Sequence, residues 1–315
     1  MEKSSTELPI APVAALPTAS KPDTVFKAPF AGWRLIAVFT GLYLGLFLAM
    51  LDTTIVAVAL TTIAAQFEDF SQSTWVVSAY LLTYMACAII MARLSDIFGK
   101  KAIETISFGI FLVFSIACAL SKSMVQLIIF RALQGIGGSG LYSMTMVVAP
   151  SLVAPERLGV IASLVSLTIV IAGVLGPILG GAISHDRTSS DWRWIFWLNL
   201  PVGGAALCAL LVGWRTDATT QRTQSRLKTL RSIDFVGAVL LLAFSILLVF
   251  ALQEGGTYIY AWNSPAIVVS LVLSGVSLIA FLAWQEIISR RPAWSLEGIF
   301  PVEVVKMRAM GSNIM

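Results

Sequence analysis

Two charged side chains deep inside apolar stretches are the residues best placed to do chemistry. Asp52 lies in the run from Ala49 to Val56, and Arg131 lies in the run from Ile128 to Gly135. A charge at the centre of a membrane helix costs roughly 2.5–3.5 kcal/mol on insertion scales, so such residues face a bundle interior or a water-filled cavity. Gln134 follows Arg131 by three residues and shares its helical face. We expect these three residues to line a cavity for protons and substrate.

The two charges lie at similar depth, which allows them to pair. Asp52 precedes Leu60, the predicted outer end of the first apolar span, by about 12 Å, and Arg131 follows Met124, the outer end of the fourth, by about 10 Å. If the two helices are neighbours, protonation of Asp52 would release Arg131. The alternative is a static ion pair that only fixes helix packing.

The composition indicates a membrane protein. Of the 315 residues, 57% are apolar and 12% are charged, whereas soluble domains carry roughly 25% charged residues. So few charges cannot cover the surface of a soluble enzyme or a DNA-binding domain. The single histidine and the three cysteines favour neither a metal site nor a hydrolytic triad. We therefore expect no catalytic residues, metal, cofactor or nucleic-acid partner.

Eight apolar stretches are long enough to cross a bilayer, which needs about 20 helical residues. They predict an all-α membrane protein with spans at 34–60, 73–92, 102–120, 124–149, 159–184, 194–213, 235–253 and 265–287. The predicted domains are a disordered cytoplasmic tail (1–32), a six-helix bundle (33–213), a basic cytoplasmic linker (214–234), two additional helices (235–287) and a cytoplasmic C-terminal segment (288–315).

The basic residues predict the orientation of these spans. With the N-terminus in the cytoplasm, 17 of the 21 lysines and arginines fall in cytoplasmic segments, three fall outside, and Arg131 lies within a span. Positive residues concentrate on the cytoplasmic side of membranes. We therefore expect a multi-pass protein that contacts the lipid bilayer along its spans, with both termini in the cytoplasm.

Two further segments have more than one interpretation. The turn after the second span holds five residues that either form a cytoplasmic gate or only fix the topology: Arg93, Asp96, Gly99, Lys100 and Lys101. The fifth span contains a proline, which kinks a helix, and glycines, which let another helix approach closely. This set is either a hinge at a moving interface or a plain packing face: Gly173, Gly176, Pro177, Gly180 and Gly181.

Taken together, these elements resemble the major facilitator superfamily, most closely its fourteen-span drug:proton antiporter branch and the fungal toxin and multidrug efflux pumps within it. Residues 92–101 look like the loop motif G-x-L-[AS]-D-x-x-G-[RK]-[RK]. Residues 131–135 resemble the R-x-x-Q-G motif associated with proton coupling, and residues 173–181 match the antiporter signature G-x-x-G-P-x-x-G-G. Residues 51–56 are similar to the first-span motif of the branch.

The segment at the start of the sixth span is also similar to a motif of that branch, through Trp192, Arg193, Trp194, Asn199 and Pro201. Two positions depart from the family patterns. Ala92 replaces the first glycine of the loop motif, which puts close helix contact there in doubt. Thr61 replaces a proline of the first-span motif, so the local bend is expected to differ.

The resemblance implies a six-helix N-terminal bundle plus two additional helices, without the second bundle of the family. It implies proton-coupled export of small amphipathic organic molecules across the plasma membrane, with a vacuolar membrane as the alternative. Because alternating access needs two halves, we expect a truncated product rather than a working half-transporter. The alternative functions are a non-transporting fragment or scaffold that associates with a full-length transporter, and a solute-uptake carrier.

Overall fold

A computed structural model describes residues 32–184, 191–214, 234–256 and 260–290. These residues form eight α-helices and, apart from two short 3-10 turns at Pro155–Arg157 and Asp191–Arg193, only loops between them. The helices are α1 (Trp33–Phe67), α2 (Ser73–Phe98), α3 (Lys100–Ala119), α4 (Met124–Ser151), α5 (Leu158–Ser184), α6 (Trp194–Gly213), α7 (Phe235–Glu254) and α8 (Pro265–Arg290).

Seven of these helices are long and apolar enough to cross a membrane, and within α7 the apolar stretch Val239–Leu252 is shorter. The all-α membrane fold is therefore confirmed. Nearly all of the predicted tail, linker and C-terminal segment lies outside the described residues. The boundaries of the predicted domains stay predictions.

The first two helices continue about two turns beyond the predicted ends of their membrane spans, at 60 and 92. The first helix continues to Phe67 and ends where Glu68 takes a left-handed conformation and its N–H bonds to the Ala64 carbonyl. The second helix continues to Phe98. A helix satisfies its own backbone hydrogen bonds whether its side chains are apolar or not, so hydropathy marks the membrane and not the end of the helix.

The helices α1 to α6 pack around α1 and α4. Helix α4 lies against α2 and α3, while α1 lies against α5 and α6 as well as α4. Glycines bring these helices close together, as small residues do in membranes. A Cβ on Gly137 would come within 2.5 Å of the backbone nitrogen of Phe111, and one on Gly135 within 2.5 Å of the Tyr80 carbonyl. Helix α4 is thus held between α2 and α3, one turn after Arg131.

The helices α7 and α8 pack on each other and contact the bundle through α2. The Trp75 indole at the start of α2 donates a hydrogen bond to Oε1 of Glu254 at the end of α7, at 2.7 Å. Trp75 also lies 6.0 Å from the ring of Phe250. At the other end of α7, Asp234 accepts a 2.7 Å bond from the Gly237 N–H and caps the helix. The contacts of Trp75 thus fasten the pair of helices to the bundle at the Glu254 end of α7.

Candidate functional site

Asp52 and Arg131 form an ion pair in the centre of the six-helix bundle. Nη1 of Arg131 on α4 bonds to Oδ2 of Asp52 on α1, and both side chains are fully buried. Nε of the same guanidinium donates to the Val76 carbonyl on α2 at 3.2 Å. The guanidinium carbon, Cζ, lies 4.1 Å from the centre of the Tyr80 ring, a favourable cation–π distance. Arg131 therefore joins α4 to α1 and α2 at once.

Gln134 connects the two charged residues a second time. Its Oε1 accepts a 2.8 Å bond from Nη1 of Arg131, and its Nε2 donates to Oδ1 of Asp52 at 3.2 Å. Its Nε2 also donates to Oγ of Ser115 on α3 at 2.8 Å. The structure thus brings together the three residues expected to line one cavity, because positions three apart on α4 project to the same side.

Two further residues complete this group, and the sequence did not assign either to it. Nδ2 of Asn199 on α6 donates to Oδ1 of Asp52 at 3.1 Å and to Oγ of Ser115 at 3.1 Å. Asn199 is the only amide side chain in α6, and this lone polar group in an apolar helix could have indicated its place in the network. Serine is common in membrane helices, so nothing comparable in the sequence indicated Ser115. We call these five residues the polar network: Asp52, Ser115, Arg131, Gln134 and Asn199.

The polar network is sealed in this conformation. Four members are 0% exposed and Asn199 is 2% exposed. The expected water-filled cavity is therefore closed at this level. Nη2 of Arg131 has no hydrogen-bond partner within the described part of the chain, which leaves the guanidinium one spare donor. Buried polar groups usually have hydrogen-bond partners, so Nη2 is the position at which the network can take a further hydrogen-bond partner.

The predicted gate residues lie where α2 turns directly into α3. Gly99 alone separates the two helices, with φ at 93° and ψ at 140°, a backbone conformation that favours glycine. Lys101 donates through Nζ to the Trp214 carbonyl after α6, and Asp96 is exposed. Arg93 stands on the last turns of α2, and Lys100 begins α3. The segment is a tight corner between two helices, and the turn expected after the second span is reduced to Gly99.

The fifth-span motif divides between two faces of α5. Gly176 and Gly180 lie against α1, where a Cβ on Gly176 would be 2.6 Å from Cβ of Thr54 and one on Gly180 would be 2.8 Å from the Ile55 carbonyl. The other three members are exposed: Gly173, Pro177 and Gly181. A Cβ on Gly173 or Gly181 meets nothing within 4 Å. Two of the five motif residues are therefore packed against described residues.

The sixth-span motif mostly fastens the ends of neighbouring helices. The Trp192 indole is buried and donates to Oε1 of Gln66 on α1. Arg193 donates to the carbonyls of Ala119 at 2.6 Å and Ser121 at 2.9 Å, after α3. Trp194 is 65% exposed and Pro201 is exposed as well. Of the five motif residues, only Asn199 reaches the polar network.

No group of three or more His, Cys, Asp or Glu side chains that could hold a metal ion is found in residues 32–184, 191–214, 234–256 and 260–290. The chemistry available in the polar network is instead that of one carboxylate, one guanidinium and their hydrogen-bond partners. Membrane-spanning helices with such a group in their interior are typical of transport proteins.

Comparison with known proteins identifies the family. The family model described as Major Facilitator Superfamily matches residues 42–302. The match covers seven of the eight described helices entirely and most of α1, so the chain belongs to the major facilitator superfamily and is an integral multi-pass membrane protein. A solved D-xylose-proton symporter aligns with a TM-score of 0.48 at 17% identity, over 81% of this chain and 69% of that one.

Several relatives carry names that refer to efflux. The MFS-type transporter FPY5 of Fusarium mangiferae is 43% identical over 299 residues, covering 92% of this chain and 49% of that protein. The MFS-type efflux pump MMF1 of Pseudozyma antarctica is 36% identical, over 79% of this chain and 45% of that one. Multidrug resistance protein 3 of Bacillus subtilis is 34% identical, over 78% and 45%. The chain thus spans about half the length of these relatives.

Proposed function

We propose that this chain forms the proton-responsive part of an exporter that moves small amphipathic organic molecules across a membrane in exchange for protons. The observation that carries the proposal is the ion pair between Asp52 and Arg131, fully buried and bridged by Gln134. The names of the relatives, which refer to efflux and multidrug resistance, support the direction of transport and the class of substrate.

In the proposed mechanism, Asp52 alternates between an ionised and a protonated form. The ionised carboxylate holds Arg131 through the ion pair and accepts bonds from Gln134 and Asn199. Protonation removes the negative charge that favours this arrangement. Arg131 is then free to use its spare Nη2 donor for water or a substrate group, and α1 and α4 lose their strongest connection.

Alternating access requires that two halves rock around a central site. The outward face of α5 suits contact with a second bundle, because Val170, Val174 and Ile178 are 61%, 57% and 59% exposed. The exposed Gly173, Pro177 and Gly181 lie on the same side and would allow close approach there. The corner at Gly99, with Arg93, Asp96, Lys100 and Lys101, would close the cytoplasmic end. We place the protein in the plasma membrane with both termini in the cytoplasm.

A proton-driven efflux assay tests this function. Membrane vesicles carry the 315-residue chain or the same chain extended by the second half of the Fusarium mangiferae relative, and ethidium is the fluorescent probe. We expect the extended form to export ethidium when a pH gradient is applied, and Asp52→Asn to abolish that export. Asp69→Asn, in the turn between α1 and α2, is the matched control and should leave export unchanged. The proposal fails if Asp52→Asn exports as well as the parent at every pH tested.

The exposed α5 face also supports a second function, a non-transporting protein that docks on a full-length transporter. A large exposed apolar face marks an interaction surface, although part of it would contact lipid. Co-purification of the native-size chain with a larger relative, lost on Val174→Arg, would favour this function. Ethidium export by the unextended chain would exclude it.

A further inference from the structure

Glu104 on α3 is a buried carboxyl group that the mechanism above does not use. It is 0% exposed, and neither of its oxygens has a hydrogen-bond partner among the described residues. Native proteins rarely bury a polar side chain without a partner, and each case needs an explanation. An ionised carboxylate in this position would be far more costly than a neutral carboxylic acid, which keeps its own proton.

Neither oxygen of Glu104 accepts a hydrogen bond from a lysine or arginine in the part of the chain that the structure describes, although Lys100 and Lys101 lie about one turn before it on α3. The helices packed against α3 are α2, α4 and α6. Helix α6 contains no charged residue, and the one in α4 is Arg131, which is committed to Asp52. Arg93 and Asp96 stand on the last turns of α2. On α3 itself, Lys100 and Lys101 begin the helix, and Lys101 donates to the Trp214 carbonyl.

Glu104 lies on the same face of α3 as Ser115 of the polar network, about three turns or 16 Å closer to the Lys100 end of the helix. Phe108 and Phe111 lie on that face between them and are both fully buried. The order along α3 is therefore a lysine pair at the helix start, a buried carboxyl group, an aromatic layer and then the polar network. Two ionisable carboxyl groups stand at different depths in the bundle, with an apolar layer between.

We propose that Glu104 is a second proton-binding site of the bundle, protonated in this closed conformation and able to exchange its proton with the cytoplasm when that end of the bundle opens. This inference builds on the proposed export function, in which protons cross from the Asp52 level toward the cytoplasm. The aromatic layer of Phe108 and Phe111 keeps the two sites apart, so a proton passes from one to the other only when the helices move.

Infrared difference spectroscopy on the purified 315-residue chain tests the protonation state directly. Spectra of the parent and of Glu104→Gln are compared at about pH 8, where an exposed glutamate is ionised. We expect Glu104→Gln to remove the C=O band of a neutral carboxyl group. The matched control Glu156→Gln removes an exposed side chain and should lose carboxylate bands instead. Loss of carboxylate bands in Glu104→Gln overturns the proposal.

Transfer of the parent into D₂O tests exchange. We expect the Glu104 band to shift as the site opens to water, and a band that never shifts would make Glu104 a static neutral group and overturn the proposal. A carbodiimide reacts with a protonated carboxyl group in an apolar environment, because the carboxyl O–H adds across its C=N bond. It gives a measurement that needs no variant. Peptide mass spectrometry of the parent should find the adduct on Glu104 and not on Glu156 at about pH 8, and the reverse pattern would contradict the proposal.

The Asp52→Asn variant separates this inference from the proposed function. The Glu104 band and its shift should persist in Asp52→Asn, because the aromatic layer separates the two sites. If Asp52→Asn still exports ethidium while Glu104 carries an exchangeable proton, the coupling role of Asp52 fails and the second proton site stands. If Asp52→Asn abolishes export while Glu104 is ionised, the export function stands and the inference fails.

Discussion

Nδ2 of Asn199 on α6 donates to Oδ1 of Asp52 on α1 at 3.1 Å. This bond connects the sixth helix to the carboxylate that pairs with Arg131, and Ser115 on α3 accepts from the same amide group at 3.1 Å. Helices α1, α4 and α6 thus meet at one buried acid, and α3 joins them through Ser115. Any movement that separates α6 from α1 must break this bond, which makes Asn199 part of whatever controls Asp52.

Asn199→Ala should destabilise the bundle, because it leaves Oδ1 of Asp52 with Gln134 as its remaining amide donor. The loss of a partner from a buried polar group costs about 1–3 kcal/mol. The measurement is the free energy of unfolding in mixed SDS micelles. Asn263→Ala removes an exposed amide between α7 and α8 and should change that free energy by less than about 0.5 kcal/mol. Equal effects of the two substitutions would contradict the assigned bond.

A double-mutant cycle on the ion pair should show strong coupling. Asp52→Asn or Arg131→Gln alone leaves one buried charge without its partner, which costs about 3–5 kcal/mol in the free energy of unfolding. The double variant removes both charges and should cost clearly less than the sum of the two single variants. Additive costs would mean that the two side chains do not interact in the folded protein.

Gly176→Ala and Gly173→Ala should differ although both positions belong to one sequence motif. A Cβ on Gly176 overlaps the Thr54 side chain, whose hydroxyl donates to the Ala172 carbonyl at 3.3 Å and so joins α1 to α5. Overpacking of this kind costs about 1–3 kcal/mol. A Cβ on Gly173 meets open space, so Gly173→Ala should be neutral or stabilise the helix by about 0.5–1 kcal/mol. Thermal unfolding in detergent compares the two, and a larger loss from Gly173→Ala would refute the packing.

Gly99→Ala should strain the corner between α2 and α3. The residue has φ at 93° and ψ at 140°, a region essentially restricted to glycine, where a residue with a Cβ is strained by about 1–3 kcal/mol. Gly109→Ala is the control, because that glycine lies within α3 and a Cβ there meets nothing within 4 Å. The melting temperature should fall for Gly99→Ala only. An unchanged melting temperature would show that the corner relaxes into an ordinary helical turn.

The class of the protein and its two central charges follow from the order of residues along the chain. Apolar runs of membrane length and a shortage of charge leave few architectures, because every backbone group in a bilayer must bond internally. A lone acid and a lone base in such runs are too costly to face lipid. These arguments are local, so Asp52, Arg131 and the eight helices could be read from the residues in order along the chain.

Which helices meet, and which residues close around the charges, depends on how the helices pack. Asn199 and Ser115 join the polar network because α3 and α6 pack beside α1 and α4, and no periodicity in one helix encodes its neighbours. The same holds for Glu104, which follows two lysines by three and four residues yet is buried without a hydrogen-bond partner among the described residues. Its depth follows from helices that contact α3 from elsewhere in the chain, and burial by distant segments is a property of the fold.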